Sequence, residues 1–322
     1  MKSGNQTKTG KAFEYACALA LCNKYTDAEL EASPQCTTAK EHFQDLAPDA
    51  KENYLKAASA AVKIIDRLEP MLSADNEQLK IKLQTDAKGI AGDVRDVVCI
   101  RGKNWQIGLS CKHNHEAVKH SRLSDKIDFG KEWLDIPCSD TYLTEARKIF
   151  GRLRKIRDDS KAGGKPAKWN VLKSKEDECY LPILNAFIEE LQRMDKQHPK
   201  EIPARMINYL LGNVDFYKVI ANESGRYTKI EVFNIGGTLN NKYKKRQPLL
   251  AAPKVKLPTK FYEIGFKDNS KSTLNVVCDE GWNLTMRIHN ASSKIEPSLK
   301  FDIQLIATPS AVLTQVEPWD EN

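Results

Sequence analysis

The fold is decided by two neighbouring stretches, GDVRDVVCI at residues 92–100 and WQIGLSCK at residues 105–112. Both contain apolar runs with β-branched residues, and the four residues between the stretches, RGKN, have the composition of a turn. The pair therefore predicts a β-hairpin, with an acidic residue in front of its first strand and a lysine at the end of its second strand.

The two ends of this predicted hairpin carry candidate chemistry. In an antiparallel hairpin the start of one strand lies beside the end of the other, so we expect Asp96 and Lys112 to meet at one end of a sheet. Side chains alternate along a strand, which puts Ser110 on the same face as Lys112. A carboxylate there can hold a divalent metal at a phosphate, and a lysine can orient or deprotonate a water. A surface ion pair between Asp96 and Lys112 is the alternative that spacing alone leaves open.

The elements around the hairpin predict an α+β protein, because helices, a small sheet, more helices and a mostly β region follow one another. We expect helices at 12–25, 38–68, 75–85, 114–122, 125–135, 141–158, 176–196 and 203–211, the second of them broken at Pro48. Strand patterns such as YKVIA, TKIEVFNI, KFYEIGF, TLNVVC, WNLTMRIHN and LKFDIQLIA fill the last third of the chain. The loop-like DDSKAGGKPAK at 158–168 divides the chain into 1–160 and 161–322.

The composition excludes several classes of protein. The chain has 322 residues and 41% hydrophobic residues, enough to bury a core, and its composition excludes intrinsic disorder. No stretch approaches the length of apolar sequence that crosses a membrane, so we expect a cytoplasmic protein without a membrane partner. No two of the eight cysteines are separated by two residues, which favours reduced, structural thiols over a zinc or redox site.

The net charge of +7 is unevenly distributed along the chain. Residues 144–175 carry eleven Lys and Arg against three Asp and Glu, and residues 226–300 carry fourteen against six. Each block therefore has a net charge of +8, and the rest of the chain has −9. Such blocks steer polyanions and release counterions on contact, which favours a nucleic acid partner over a merely solvated basic surface.

Four segments together give the chain a family resemblance. They are GKAFEYA at 10–16, GDVRDVV at 92–98, IGLSCKHNHEAVKHSRLS at 107–124 and WNLTMRIHNASSKIEPSLKFDIQL at 282–305. The carboxylate, hairpin and lysine resemble the core of the PD-(D/E)XK nucleases. The four segments resemble the HaeIII family of type II restriction endonucleases over nearly the whole chain. The resemblance implies a small mixed sheet flanked by helices, with a β-rich DNA-recognition region at the C-terminal end.

The resemblance also implies roles for the residues of the hairpin. Asp96 matches the metal-binding aspartate, with Asp93 as the competing choice, and Lys112 matches the catalytic lysine. Ser110 occupies a position at which the motif of the superfamily usually has Asp or Glu. Glu14 on the first helix is the expected substitute for this carboxylate. The main-chain carbonyl of Cys111 would complete the metal ligands. A site with so few protein ligands suits Mg²⁺, which keeps several waters.

The implied activity is Mg²⁺-dependent hydrolysis of double-stranded DNA, at the palindrome GGCC, leaving 5′-phosphate ends. A palindromic target favours a homodimer, and a cytoplasmic cutter implies a companion DNA methyltransferase of the same specificity. The expected DNA contacts are His113, Asn114, His115, Lys119, His120, Ser121, Arg122, Arg287, His289, Asn290 and Lys300. The alternatives are a catalytically inactive sequence-specific DNA-binding protein, which the serine at 110 favours, and an RNA-binding or RNA-processing protein.

Overall fold

The structure is a computed structural model that describes residues 3–75, 77–85, 92–114, 118–119 and 121–320, with only the backbone for residues 3–6. The helices are α1 (Ser3–Lys24), α2 (Pro34–Gln44), α3 (Pro48–Leu68), α4 (Phe129–Leu134), α5 (Asp140–Ala162), α6 (Leu181–Gln197) and α7 (Ile202–Leu211). The strands are β1 (Ala28–Leu30), β2 (Leu79–Leu83), β3 (Val97–Arg101), β4 (Trp105–His113), β5 (Arg122–Ser124), β6 (Phe216–Asn222), β7 (Tyr227–Phe233), β8 (Phe261–Phe266), β9 (Thr273–Cys278), β10 (Asn283–His289), β11 (Ser298–Ala307) and β12 (Thr314–Pro318).

Residue contacts divide the chain into two compact units, and both are discontinuous in sequence. The first unit comprises residues 1–116, 212–256 and 310–322, and the second comprises 117–211 and 257–309. The expected division between residues 160 and 161 falls inside the second unit, within helix α5. Loop composition reports only on consecutive residues, whereas the units are defined by strands that pair across long stretches of chain.

The first unit is built on a mixed sheet of seven strands in the order β1-β2-β3-β4-β6-β7-β12. The pairs β1–β2 and β4–β6 are parallel, and the other pairs are antiparallel. Helices α1 and α3 pack on the face formed by alternate residues of the central strands, such as Leu109 and Val219, and this face is the core of the unit. Burying it supplies most of the driving force for folding.

The predicted hairpin is confirmed and lies at the centre of this sheet. Strands β3 and β4 pair antiparallel from Val97 opposite Leu109 to Arg101 opposite Trp105. Gly102 in the turn has a φ of +63°, a conformation that glycine adopts without the strain of a side chain.

The structure corrects two predicted helices and the placement of two predicted strands. The described part of 75–85, which is all but residue 76, does not form a helix: LKIKL is strand β2, and its alternating burial puts Leu79, Ile81 and Leu83 into the core. The predicted helix at 114–122 ends in strand β5, although 115–117 and 120 lie outside the described residues. The patterns YKVIA and TKIEVFNI are strands, but they are β6 and β7 of the first sheet, so this sheet is larger than the expected core.

The second unit contains an antiparallel sheet of five strands in the order β5-β11-β10-β9-β8. One face is apolar and buried, and Phe301 on this face packs against Phe187 of α6, with ring centroids 5.4 Å apart. The other face carries mostly polar side chains on β9, β10 and β11. Alternation of side chains along each strand produces this division.

All eight cysteines have free thiols, as the spacing predicted. Within the described ranges, no helix is both long enough and apolar enough to cross a membrane.

Candidate active site

Asp96 lies directly before β3 and is held at the open end of the hairpin. Its main-chain N–H donates to the Leu109 carbonyl at 2.7 Å, which extends the ladder by one residue. Its carboxylate Oδ2 accepts a hydrogen bond from the main-chain N–H of Cys111 at 2.7 Å. The carboxylate is therefore fixed by the strand that carries the candidate lysine.

Lys112 approaches the same carboxylate oxygen, with 3.6 Å between Nζ and Asp96 Oδ2. The predicted meeting of these two side chains is confirmed. The nearby Asp96 carboxylate outweighs burial and raises the pKa of the Lys112 ammonium, with smaller contributions from Cys111 and Glu14. In the metal-free protein Lys112 is therefore a cation rather than a free base.

Glu14 reaches the site from helix α1 and is 6% exposed. Burial and the negative charge of Asp96 raise the pKa of Glu14 to about 8, against the opposing effects of Lys11 and Lys112. Lys11 Nζ donates to Glu14 Oε2 at 3.1 Å. A buried carboxyl group whose ionisation the charge of Asp96 disfavours forms a place where a bound cation would be stabilising.

Asp93, the competing aspartate, is occupied by protein groups. Arg95 donates to both of its carboxylate oxygens at 2.8 Å, and Gln84 Nε2 donates to Oδ2 at 2.9 Å. Burial alone would raise the pKa of Asp93, but these hydrogen bonds hold it below its ordinary value. Asp93 thus neutralises the buried Arg95, and the geometry favours Asp96 as the group that faces Lys112.

Ser110 and Cys111 complete the neighbourhood of Asp96. The Ser110 hydroxyl donates to Asp96 Oδ2 at 3.5 Å, a long hydrogen bond from a buried side chain. In a paired strand the N–H and C=O of one residue point to the same edge, and the N–H of Cys111 points to Asp96. The Cys111 carbonyl therefore also points to the edge at which the Asp96 carboxylate lies, whereas its thiol is buried in the core.

The donor set for a metal is small. Over the described part of the chain, no three side chains from His, Cys, Asp and Glu form a cluster that could hold a metal ion. The oxygen ligands that the site offers are the carboxylates of Asp96 and Glu14 and the main-chain carbonyl of Cys111. Such oxygen ligands fit Mg²⁺, which binds through one or two carboxylates and keeps several waters.

His113 and Asn114, the first expected DNA contacts after Lys112, make their contacts with other residues of the protein. His113 Nδ1 lies 3.2 Å from the Tyr54 hydroxyl, and the two rings pack with centroids 4.5 Å apart. Burial lowers the pKa of His113 against the opposing effect of Glu223. Asn114 has a φ of +53°, and its amide bonds the backbone and side chain of Glu223. Both residues therefore secure the end of β4.

The next expected DNA contacts lie on β5 and just before it, and the alternation of side chains places them on different faces of the second sheet. Lys119 forms an isolated antiparallel β-bridge with Ile303 and therefore lies on the apolar side. Its Nζ donates to the Tyr209 carbonyl at 2.8 Å, and burial lowers the pKa of Lys119 to about 8. Ser121 is buried, whereas Arg122 lies on the polar face opposite Lys300. The positions of His115 and His120 lie outside the described residues.

The C-terminal contacts are brought together on the polar face of the second sheet. Lys300 of β11 stands between Arg122 of β5 and His289 of β10, each directly opposite in the strand register. Arg287 is the most open of this group, with 59% of its side chain exposed. Asn290 does not join them: its side chain accepts hydrogen bonds from Lys175 and Tyr180 and donates to the Ser292 carbonyl.

Three residues of the site were missed from the sequence. Lys11 lies one helical turn before Glu14, and this spacing of three on one helix face could have indicated the ion pair. Arg95 and Gln84 have no such local signal, because their contact with Asp93 depends on the loop before β3.

The chain is similar to known proteins over nearly its whole length. The family described as HaeIII restriction endonuclease matches residues 10–309. The type II restriction enzyme HaeIII of Haemophilus aegyptius is 41% identical over 323 residues, which cover 99% of this chain and 100% of that enzyme. No solved structure matches the chain.

Proposed function

Since this chain belongs to the HaeIII family of restriction endonucleases and is a type II restriction endonuclease, we propose that it hydrolyses double-stranded DNA at a site formed by Asp96, Glu14 and Lys112, with Mg²⁺ bound by the two carboxylates. The observation that carries this assignment is the distance of 3.6 Å between Lys112 Nζ and Asp96 Oδ2 at the open end of the hairpin. This is the arrangement expected of a PD-(D/E)XK core, which we propose for the first unit.

Asp96, Glu14 and the Cys111 carbonyl would hold the metal. The Glu14 carboxyl, whose pKa of about 8 reflects burial beside Asp96, would lose its proton when a cation neutralises the pair. Bound Mg²⁺ would polarise the scissile phosphate and lower the pKa of a coordinated water.

Lys112 supplies charge rather than base strength. Its ammonium, held protonated by Asp96, donates to the attacking water and to the phosphate oxygens on which negative charge accumulates. The Ser110 hydroxyl orients Asp96 but is a poor metal ligand, and Glu14 takes over the role of the missing carboxylate. Attack by water with departure of the 3′ oxygen leaves a 5′-phosphate and a 3′-hydroxyl.

The polar face of the second sheet would bind the duplex through Arg122, Arg287, His289 and Lys300. The similarity to HaeIII supports GGCC as the target, and a palindrome favours a homodimer in which each copy reads one half-site. His115 and His120 stay predictions. A cutter that acts on DNA in the cytoplasm also implies a methyltransferase that protects the host genome.

The test is digestion of unmethylated plasmid with Mg²⁺, followed by gel electrophoresis. We expect discrete fragments that end at GGCC, and no cutting by Lys112→Ala, which should still bind DNA. Lys103→Ala, at the opposite end of the same hairpin, is the matched control and should cut as the wild type does. Cutting by Lys112→Ala at the wild-type rate would contradict the site assignment. Intact plasmid with the wild type would contradict the activity.

A further inference from the structure

The polar face of the second sheet is ordered into rows that cross its strands. Residues directly opposite one another in the register form three such rows: Arg122, Lys300 and His289; Asp302, Arg287 and Thr273; and Gln304, Thr285 and Asn275. The first row is basic, the second contains an ion pair, and the third is uncharged. The face thus has cations on one side and hydroxyl and amide groups on the other.

The middle row combines an open donor with an acceptor at its side. Arg287 is 59% exposed, and its Nη2 lies 3.4 Å from Asp302 Oδ2. Asp302 is the one acidic residue of β5, β9, β10 and β11, strands that the structure describes in full. A face that served only to attract phosphate would gain nothing from a carboxylate here, because that charge repels the DNA backbone.

The pair matches the major-groove edge of one base pair. A G·C pair presents N7 and O6 of guanine as acceptors and N4 of cytosine as a donor, side by side. The Arg287 guanidinium offers two donors, and the Asp302 side chain, which is 18% exposed, offers Oδ2 as the adjacent acceptor because Oδ1 is buried. Donor, donor and acceptor therefore stand opposite acceptor, acceptor and donor. An A·T pair does not present acceptor, acceptor and donor in this order to Arg287 and Asp302, since N6 of adenine is a donor beside the acceptor N7.

We propose that Arg287 and Asp302 together read one G·C pair of the target, with Arg287 donating to guanine and Asp302 accepting from the cytosine amino group. This inference rests on the proposed function, because it concerns the same substrate. Asp302 was not among the residues expected to contact DNA. Its role is to determine specificity, whereas Lys300 in the neighbouring row contacts phosphate and affects all sequences alike.

The test removes the proposed contact once by changing the DNA and once by changing the protein. Duplexes with GGCC are compared with duplexes in which one cytosine is replaced by 2-pyrimidinone, which lacks the amino group, and kcat/KM is measured for each. The wild type should lose about 5- to 150-fold at the cytosine that Asp302 reads. Asp302→Ala should cut GGCC more slowly by a similar factor and lose nothing further at that cytosine.

Control variants separate this contact from general effects. Lys300→Ala should slow cutting of both duplexes equally, and Asp268→Ala, in the exposed turn between β8 and β9, should change neither. If Asp302→Ala does not fold, the double variant Arg287→Ala/Asp302→Ala removes both charges together. Its kcat/KM should likewise not depend on the cytosine amino group. The inference is overturned if, for each cytosine replaced by 2-pyrimidinone, Asp302→Ala loses as much kcat/KM as the wild type does. A wild type that does not cut the GGCC duplex overturns the proposed target instead.

Discussion

The Asp96 carboxylate lies 3.6 Å from the Lys112 ammonium, and the same oxygen accepts the Cys111 N–H at 2.7 Å. The strand that carries the lysine therefore also fixes the aspartate. Asp93, three residues earlier, is bound by Arg95 through both carboxylate oxygens. Two aspartates that look equivalent in sequence have different partners in the fold, and different consequences should follow from replacing them.

Asp96→Asn should lose cleavage while the protein keeps its thermal stability, because the amide still accepts from Cys111 but no longer binds a cation. Asp93→Asn should destabilise the protein by about 3 kcal/mol, since it leaves the buried Arg95 without its counter-charge. Thermal unfolding and the cleavage rate per folded molecule separate the two effects. The reverse pattern, with stability lost at Asp96 and chemistry lost at Asp93, would assign the metal to Asp93.

Glu14 should make stability depend on pH and on metal. Its pKa is about 8 in the folded protein and 4.5 when unperturbed, so its contribution is complete below pH 4.5 and is lost as pH rises through 8. Without metal, the melting temperature of the wild type should fall more between these values than that of Glu14→Gln. Glu69, whose pKa burial raises to about 7, contributes equally to both proteins.

Mg²⁺ should reverse this loss, because binding to the ionised Glu14 stabilises the folded state. The increase in melting temperature should be larger in the wild type than in Glu14→Gln, and larger at pH 8 than at pH 6. Glu41→Gln, an exposed position on α2, should behave as the wild type does. Equal Mg²⁺ effects in the wild type and Glu14→Gln would remove Glu14 from the metal site.

Gly108→Ala should destabilise the protein where β4 packs against Arg95. A Cβ at position 108 would collide with the side-chain carbons of Arg95, which its bonds to Asp93 hold in place. We expect a loss of about 1–3 kcal/mol in the free energy of unfolding, measured with urea. Gly151→Ala is the contrasting control: it lies in α5 with open space around it and should stabilise the protein by about 0.5–1 kcal/mol. Similar effects of both substitutions would contradict the collision.

Arg122 and Lys300 should account for part of the salt dependence of DNA binding. If each neutralises one phosphate, Arg122→Ala and Lys300→Ala should each reduce the slope of log affinity against log salt by about 1. Binding measured between about 50 and 200 mM salt gives this slope. Lys40→Ala on α2 should leave the slope unchanged. Unchanged slopes for both sheet variants would show that this face does not contact the DNA backbone.

The hairpin was predictable because its information is local. Two apolar runs and a turn composition are enough to pair β3 with β4, and antiparallel geometry then brings Asp96 to Lys112. The helix predicted at 75–85 was wrong, because LKIKL is a short segment whose apolar residues alternate, and this alternation is typical of a strand. The boundary at 160 did not coincide with either unit, because β4 pairs with β6 across about a hundred residues that belong mainly to the other unit.

By itself, the sequence determined the class of the fold, the hairpin with its carboxylate and lysine, and the alternation that makes β10 and β11 amphipathic. These properties depend on neighbouring residues and on the period of two along a strand. Only the tertiary structure decided that Lys119 and Ser121 are on the apolar side of the second sheet and that Asp302 stands beside Arg287. Those outcomes depend on register between strands distant in sequence, where a shift of one residue would exchange the two faces of the sheet.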